Sequence, residues 1–308
     1  MKKNILFVLL NLLLISCGEV ISSNSVSSSS YTSSSDSSNQ TSSVETTSSS
    51  KESITSSEVE ISHSSLSDNI EAYYKSINKD ATGATLMNSL HKLIKNHSVT
   101  SYKNLNSCYA QTDVKPGTNI IWDMYSNIEY QANKNTCGNY KKEGDCWNKE
   151  HSIPASWFND VSPMYSDLFQ VYPTDGYVNN RRSNFPFGEV QTAKYTSENG
   201  SKLGSSVDGI GNVFEPIDEY KGDFARTYFY FATCYMDKPI NNANGKYCFT
   251  SGTSYPKLTD YSIKLFKKWA ELDPVSSKEI NRNEAVYKIQ GNRNPFIDYP
   301  EFSKQIWG

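Results

Sequence analysis

Half of the residues from Ile21 to Leu66 are serine, and that composition limits what this chain can fold into. Thr, Asn, Glu and Lys supply much of the remainder. Such a segment cannot bury enough apolar surface to offset the entropy of ordering, so it is expected to be a disordered tether over residues 18–67. About 45 residues of this kind have a root-mean-square reach of roughly 35–40 Å. Any core must come from the C-terminal three-quarters of the chain, and residues 68–308 suffice for one domain with a substantial core.

Upstream of the tether, Met1-Lys2-Lys3 is a positive start, and Ile5 to Ile15 is apolar apart from Asn11. The run is too short to span a bilayer as a helix. It ends in Leu14-Ile15-Ser16-Cys17, which resembles a bacterial lipoprotein leader (residues 1–17) with Cys17 as the lipid-modified residue. The alternative is a plain secretory leader. Either way the mature protein is expected outside the cytosol, anchored through Cys17 and facing the extracellular side.

Three of the 30 Lys/Arg and seven of the 33 Asp/Glu lie in residues 1–68, leaving 27 basic against 26 acidic residues in the domain, a net of +1. Global charge therefore lends nothing to a nucleic-acid reading. The domain holds five cysteines: Cys108, Cys137, Cys146, Cys234 and Cys248. An odd number leaves at least one thiol free or paired with another molecule. Cys137 with Cys146 is the first pair to expect, and the spacings match no zinc ribbon or finger.

Apolar periodicity predicts a short helix over Ile70–Ile77 and an amphipathic helix through Leu86, Leu90, Leu93 and Ile94, with Thr82 or Thr85 as N-cap. His91 and His97 fall in or just after that helix and read as surface or core-edge residues. Residues 120–126 read as a strand. Further strands are expected up to His151 and over Leu168–Tyr172, then a helix beginning near Thr174 or Asp175. From Val190 to Gly211 the chain reads as polar loop with at most one weak hairpin. Phe224, Tyr228, Phe231 and Tyr235 mark a helix apolar nearly all round, expected in the middle of the fold. Leu265, Phe266, Trp269 and Leu272 mark another, stopped at Asp273-Pro274. Ser276 and Glu279 form an expected capping box, Gly291 a C-terminal cap, and Asn292–Asp298 an extended or turn segment.

The chemistry concentrates between Trp147 and Val190. Glu150 and His151 are adjacent, and neighbours on a strand face opposite ways unless the strand ends there. Pro154 is consistent with such an ending. Downstream, Asn179-Asn180-Arg181-Arg182 places amides beside two guanidiniums. A carboxylate and an amide oxygen suit a hard divalent cation, an imidazole suits deprotonation of water, and guanidinium suits phosphate. The chain has neither the His-Glu-x-x-His of a zinc protease nor the Gly-x-Ser-x-Gly of a serine hydrolase.

These residues stand in blocks that resemble the endonuclease I family of secreted and periplasmic nucleases, within the ββα-metal (His-Me finger) superfamily. The blocks are Asn148–Phe158, Pro163–Leu168, Tyr172–Val190, Phe214–Arg226 and Arg282–Asp298, in order across nearly the whole domain. The resemblance implies an α+β fold, a ββα-metal core surrounded by additional helices. It implies that His151 is the general base, that Glu150 and Asn179 hold Mg²⁺ (Mn²⁺ or Ca²⁺ as alternatives), and that cleavage leaves 5′-phosphate ends. Arg182 is assigned to phosphate in the catalytic set. Arg181 and Asn184 join it as substrate-binding candidates, with Arg181 either gripping phosphate or solvated. Arg293 either buttresses the site or contacts phosphate. One departure stands out: where the family usually has Asp-Leu-His-His, this chain has Asp167-Leu168-Phe169-Gln170.

The reading is a lipid-anchored, extracellular, sequence-nonspecific, metal-dependent endonuclease acting on DNA, with RNA as a further substrate and no protein partner evident. The rival is a catalytically weakened surface lipoprotein that binds nucleic acid without cutting it. A third is an adhesin using the domain as a scaffold.

Overall fold

The computed structural model describes residues 66–308. The leader, Cys17 and most of the tether lie outside the described residues. Among the described residues no helix is long and apolar enough to cross a membrane.

Helix α1 (66–73) begins earlier than expected and gives way to a turn before Ile77. Helix α2 (Gly83–Ile94) buries Leu86, Leu90 and Ile94 as its periodicity requires, together with His91. Its N-cap is Thr82, whose side chain makes no capping bond. Helix α3 (Leu105–Thr112) comes next. The strand expected over residues 120–126 does not form: Ile121 and Ile120 make only isolated bridges, to Val114 and Gln131. Asp123 supplies the physical reason. Its Oδ1 accepts from the Tyr125 N–H at 2.7 Å, and its Oδ2 accepts from the Ser126 hydroxyl at 2.5 Å. That local turn bonding competes with a strand ladder.

Strand β1 (Trp147–His151) pairs antiparallel with β2 (Val171–Asp175), His151 opposite Val171 and Trp147 opposite Asp175. The second strand starts three residues later than the sequence suggested. Asp167 takes up the intervening residues in a turn, its carbonyl accepting from both Gln170 and Val171 N–H at 3.0 Å. Helix α4 (Gly176–Arg182) continues directly from β2, capped by Asp175, whose side chain accepts from the Tyr177 and Val178 N–H groups. A Cβ at Gly176 would come within 2.9 Å of the Tyr140 ring and 3.2 Å of the Asn148 amide nitrogen. Glycine there lets the start of α4 lie against β1.

A second, three-stranded antiparallel sheet, β3 (Val190–Thr196), β4 (Lys202–Ser206) and β5 (Asn212–Glu215), occupies the region expected to be mostly loop. Beyond it, α5 (Lys221–Cys234) has every residue buried. Its aromatic stripe is core, as expected: Tyr228 packs 4.3 Å from Phe266 and Phe229 5.1 Å from Trp307, centroid to centroid. Each such ring contributes about 1.5–3 kcal/mol by leaving water.

The short α6 (Gly245–Cys248) precedes α7 (Asp260–Leu272), which packs on α5 through Leu265, Phe266 and Trp269. Leu272, expected on that face, is exposed. Helix α8 (Ser277–Gln290) has both halves of its capping box and ends at Gly291 with φ 79°, a left-handed position that favours glycine. Part of the segment expected to be extended is instead α9 (Pro295–Asp298), capped by Asn294; α10 (Phe302–Trp307) closes the chain. Cys137 and Cys146 form a disulfide, while Cys108, Cys234 and Cys248 are free and buried. The class is α+β, with a sheet beyond the β1–β2–α4 unit that the sequence did not announce.

Candidate active site

The end of β1 and the body of α4 form two walls of a cleft of about 350 Å³. Glu150, His151 and Asn179 all line it, with Lys149, Ser156 and Asn184 also on its walls. Adjacent residues reach one cleft because the strand stops at His151.

Glu150 is buried, and its Oε1 accepts from the Tyr125 hydroxyl at 2.8 Å and from Arg182 Nη1 at 2.7 Å. Its Oε2 has no hydrogen-bond partner among the described residues. Burial pushes the carboxyl up to about 7, against the downward pull of the Arg182 charge and the Tyr125 hydroxyl. Asn179 donates through Nδ2 to Asn148 Oδ1 at 2.7 Å and to the Lys149 carbonyl at 3.2 Å. The Lys149 carbonyl can only accept, so it fixes which way the amide points and leaves Asn179 Oδ1 unengaged.

His151 meets the Tyr165 carbonyl at 2.9 Å through Nε2. A carbonyl can only accept, so Nε2 carries the proton and Nδ1 keeps its lone pair. No partner engages Nδ1 among the described residues. The ring stacks on Tyr165 at 5.0 Å and lies nearly parallel to Tyr102 at 5.6 Å. Burial pushes the imidazole down to about 4, so it is neutral and proton-accepting at pH 7.

The three groups the sequence singled out as base and ligands are thus brought together; the guanidiniums are placed otherwise. Arg182 is 1 % exposed, and its Nη atoms are bonded to Glu150, the His151 carbonyl and the Ser152 carbonyl. This corrects its assignment to phosphate: the fork is spent on holding Glu150 and the end of β1. Arg293 is likewise buried, bound to Glu284 and Asp298, and touches no phosphate-accessible surface. Arg181 is exposed and bonded to the Tyr177 hydroxyl at 2.6 Å. Two residues along a helix turn the side chain by roughly 200°, so Arg181 leaves α4 away from Asn179 and the cleft. Asn184 does line the cleft, its side chain tied to Asn244 and Ser156.

Sequence reasoning missed Tyr125, Asn148, Tyr102 and Tyr165. Tyr125 lies 25 residues before Glu150 in an irregular segment and carried no signal. Tyr165 acts through its carbonyl, which any residue would supply. Asn148 and Tyr165 fall inside blocks already matched to the family, and that was their only trace.

A second group of ligand-type atoms, from His97, Asp167 and Cys234, lies within 4.8 Å of one another. Its valences are occupied. Asp167 Oδ2 accepts from the Tyr230 and Tyr235 hydroxyls at 2.8 and 2.6 Å, and Oδ1 from the Phe169 N–H and the Gln290 amide, both at 2.9 Å. His97 Nε2 meets the Tyr235 hydroxyl at 2.9 Å. His91 is buried, with Nδ1 against the Thr233 carbonyl, and His97 is partly buried, so His97 fits the core-edge place expected of it while His91 lies deeper. The two residues that depart from the family pattern are structural here. Phe169 packs 4.7 Å from the Tyr230 ring, and the Gln170 amide bridges the Met164 carbonyl and the Ile153 N–H.

A family profile described as Endonuclease I matches residues 82–301, which contain the whole cleft. This chain belongs to the endonuclease I family. It is 35 % identical over 244 residues to the extracellular ribonuclease of Bacillus amyloliquefaciens, covering 77 % of this chain and 78 % of the relative. The extracellular ribonuclease of Bacillus subtilis (strain 168) is 34 % identical over the same shares. Endonuclease-1 of Buchnera aphidicola subsp. Acyrthosiphon pisum is 27 % identical over 154 residues, 49 % of this chain and 52 % of that one.

Proposed function

We propose that the folded domain, beginning near residue 68, is a metal-dependent, sequence-nonspecific endonuclease that hydrolyses phosphodiester bonds of RNA and DNA. The observation that carries this reading is that Glu150, Asn179 and His151 line one cleft, each with an oxygen or nitrogen that its neighbours leave unused. Glu150 and Asn179 would hold a hard divalent cation, Mg²⁺ first, with Mn²⁺ or Ca²⁺ as alternatives. When bound, the cation supplies stabilisation of negative charge on the phosphate and on the departing 3′-oxygen.

The chain's own groups do the rest. His151 takes a proton from water at Nδ1, while the Tyr165 carbonyl holds the opposite N–H and supports the imidazolium as it forms. Tyr125 and Arg182 hold Glu150 by one oxygen. Attack on phosphorus with the 3′-oxygen leaving gives 5′-phosphate ends. Contacts to phosphate rather than to base edges make the enzyme indifferent to sequence. RNA joins DNA as substrate because the two relatives matching 77 % of the chain are named extracellular ribonucleases. Relatives matching about half of it include endonuclease-1 and an extracellular deoxyribonuclease of Aeromonas hydrophila. Their names also support an extracellular site of action. Tethering through a lipid on Cys17 remains part of the proposal, resting on the leader pattern alone.

The test is to incubate the protein with plasmid or RNA and Mg²⁺, with and without EDTA, beside His151→Ala. We expect EDTA-sensitive cleavage that the variant loses by about 10²–10⁴-fold, the usual worth of a general base. Tight binding without cutting under any of the three cations would overturn the enzyme reading.

A further inference from the structure

The phosphate-binding role assigned to arginines leaves an unfilled place in the cleft. Of its two lining cations, Arg182 is spent on Glu150 and on two carbonyls. The other is Lys149, on β1 immediately before Glu150. Its ammonium has no carboxylate and no hydrogen-bond partner among the described residues. Nζ lies 4.6 Å over the Tyr102 ring, and Tyr102 is 5.6 Å from His151 and nearly parallel to it. Its backbone is pinned as well, because the Lys149 carbonyl accepts from Asn179. The root of the side chain and the ring beneath its head are both held by residues of the site.

We infer that Lys149 is the residue that grips a substrate phosphate, with Tyr102 aiming its ammonium beside the base. A half-buried ammonium without an anion is incompletely compensated, and a phosphodiester entering the cleft supplies the missing charge. Lysine acts as a point charge rather than a planar fork, so it tolerates a backbone presented at varied angles. The inference rests on the proposed function only for what enters the cleft, not for whether it is cut.

The experiment is fluorescence anisotropy of a short fluorescein-labelled oligonucleotide in EDTA over a series of NaCl concentrations, for wild type, Lys149→Gln and Lys149→Arg, with thermal melts alongside. Lys149→Gln should bind about five- to tenfold more weakly at low salt, and the slope of log Kd against log salt should shrink by about one phosphate contact. Lys149→Arg should restore both. A lysine that merely covers Tyr102 would move the melting temperature and leave the slope alone. A folded Lys149→Gln with an unchanged slope, or Lys149→Arg no better than Lys149→Gln, would overturn the inference. A wild type that binds with the expected slope yet never cleaves would sink the nuclease reading and leave this one standing.

Discussion

Two parts of this molecule are made of the same kinds of side chain and do opposite things with them. In the cleft, Glu150, His151 and Asn179 present an acid, an imidazole and an amide, each anchored by one end and open at the other. Around Asp167, an acid, the imidazole of His97 and the amide of Gln290 are closed on one another and on two tyrosines. Both carboxylates are buried, so burial does not separate a site from a strut. What separates them is whether neighbouring donors use up the lone pairs. The Asp167 cluster joins α5, α8 and the turn before β2, and that junction sets where β2 begins.

The sharpest way to break this contrast is to remove each carboxylate. Glu150→Ala should lower cation affinity by more than about 100-fold, beyond what loss of an outer-shell partner causes. It should also cost about 3–5 kcal/mol of stability, because Arg182 is left buried and unpaired. A Mg²⁺ titration of cleavage and a urea melt would read the two effects. If Glu150→Ala left the Mg²⁺ requirement unchanged, the open oxygen would have no function.

Acidity probes the same difference. Burial raises Glu150 to about 7, so at limiting cation the proton should compete there and activity should fall as pH drops through about 7. Burial lowers His151 to about 4, so the base stays neutral well below the usual histidine range. Raising Mg²⁺ should therefore move the acid limb of kcat/KM from near 7 toward about 4. A limb fixed at the ordinary histidine value whatever the cation level would contradict both assignments.

Asp167→Asn should instead cost about 1–3 kcal/mol, the penalty of mismatched buried hydrogen bonds. The folded fraction should keep its Mg²⁺ dependence, as checked by activity normalised to native protein. The smallest effect belongs to Tyr125→Phe, which removes one of two donors to Glu150 Oε1. It should cost about 1 kcal/mol in a urea melt and raise the Mg²⁺ requirement only a few-fold.

Much of the fold was legible where the signal was local. The capping box at Ser276, the αL glycine at 291, the start of α4 near Asp175 and the aromatic stripe of α5 all depend on residues within a few positions of one another. The β3–β4–β5 sheet was not legible, because β3 is exposed along most of its length and shows no apolar alternation. The strand at residues 120–126 failed because Asp123 turned the backbone, and apolar residues alone gave no warning. In the site, the base and both ligand candidates could be named from the matched blocks. Arg182 was misjudged because its ion pair is long-range, whereas the partners of Arg293, Glu284 and Asp298, stood within nine residues of it. Glu150 lies 32 residues from Arg182, and nothing near either residue announces the pair.

The way Asn179 is held restricts what could replace it. Its Nδ2 points at the Lys149 carbonyl, so an aspartate of the same shape would set oxygen against oxygen there and lose that anchor. The cleft is thereby committed to a neutral amide beside a single acid, and a divalent cation admitted there would keep half of its charge unbalanced until a nucleic acid arrives. If the cleft holds a cation as proposed, cation and strand should each tighten the hold on the other, and the cation should exchange freely with the surrounding medium when no strand is bound.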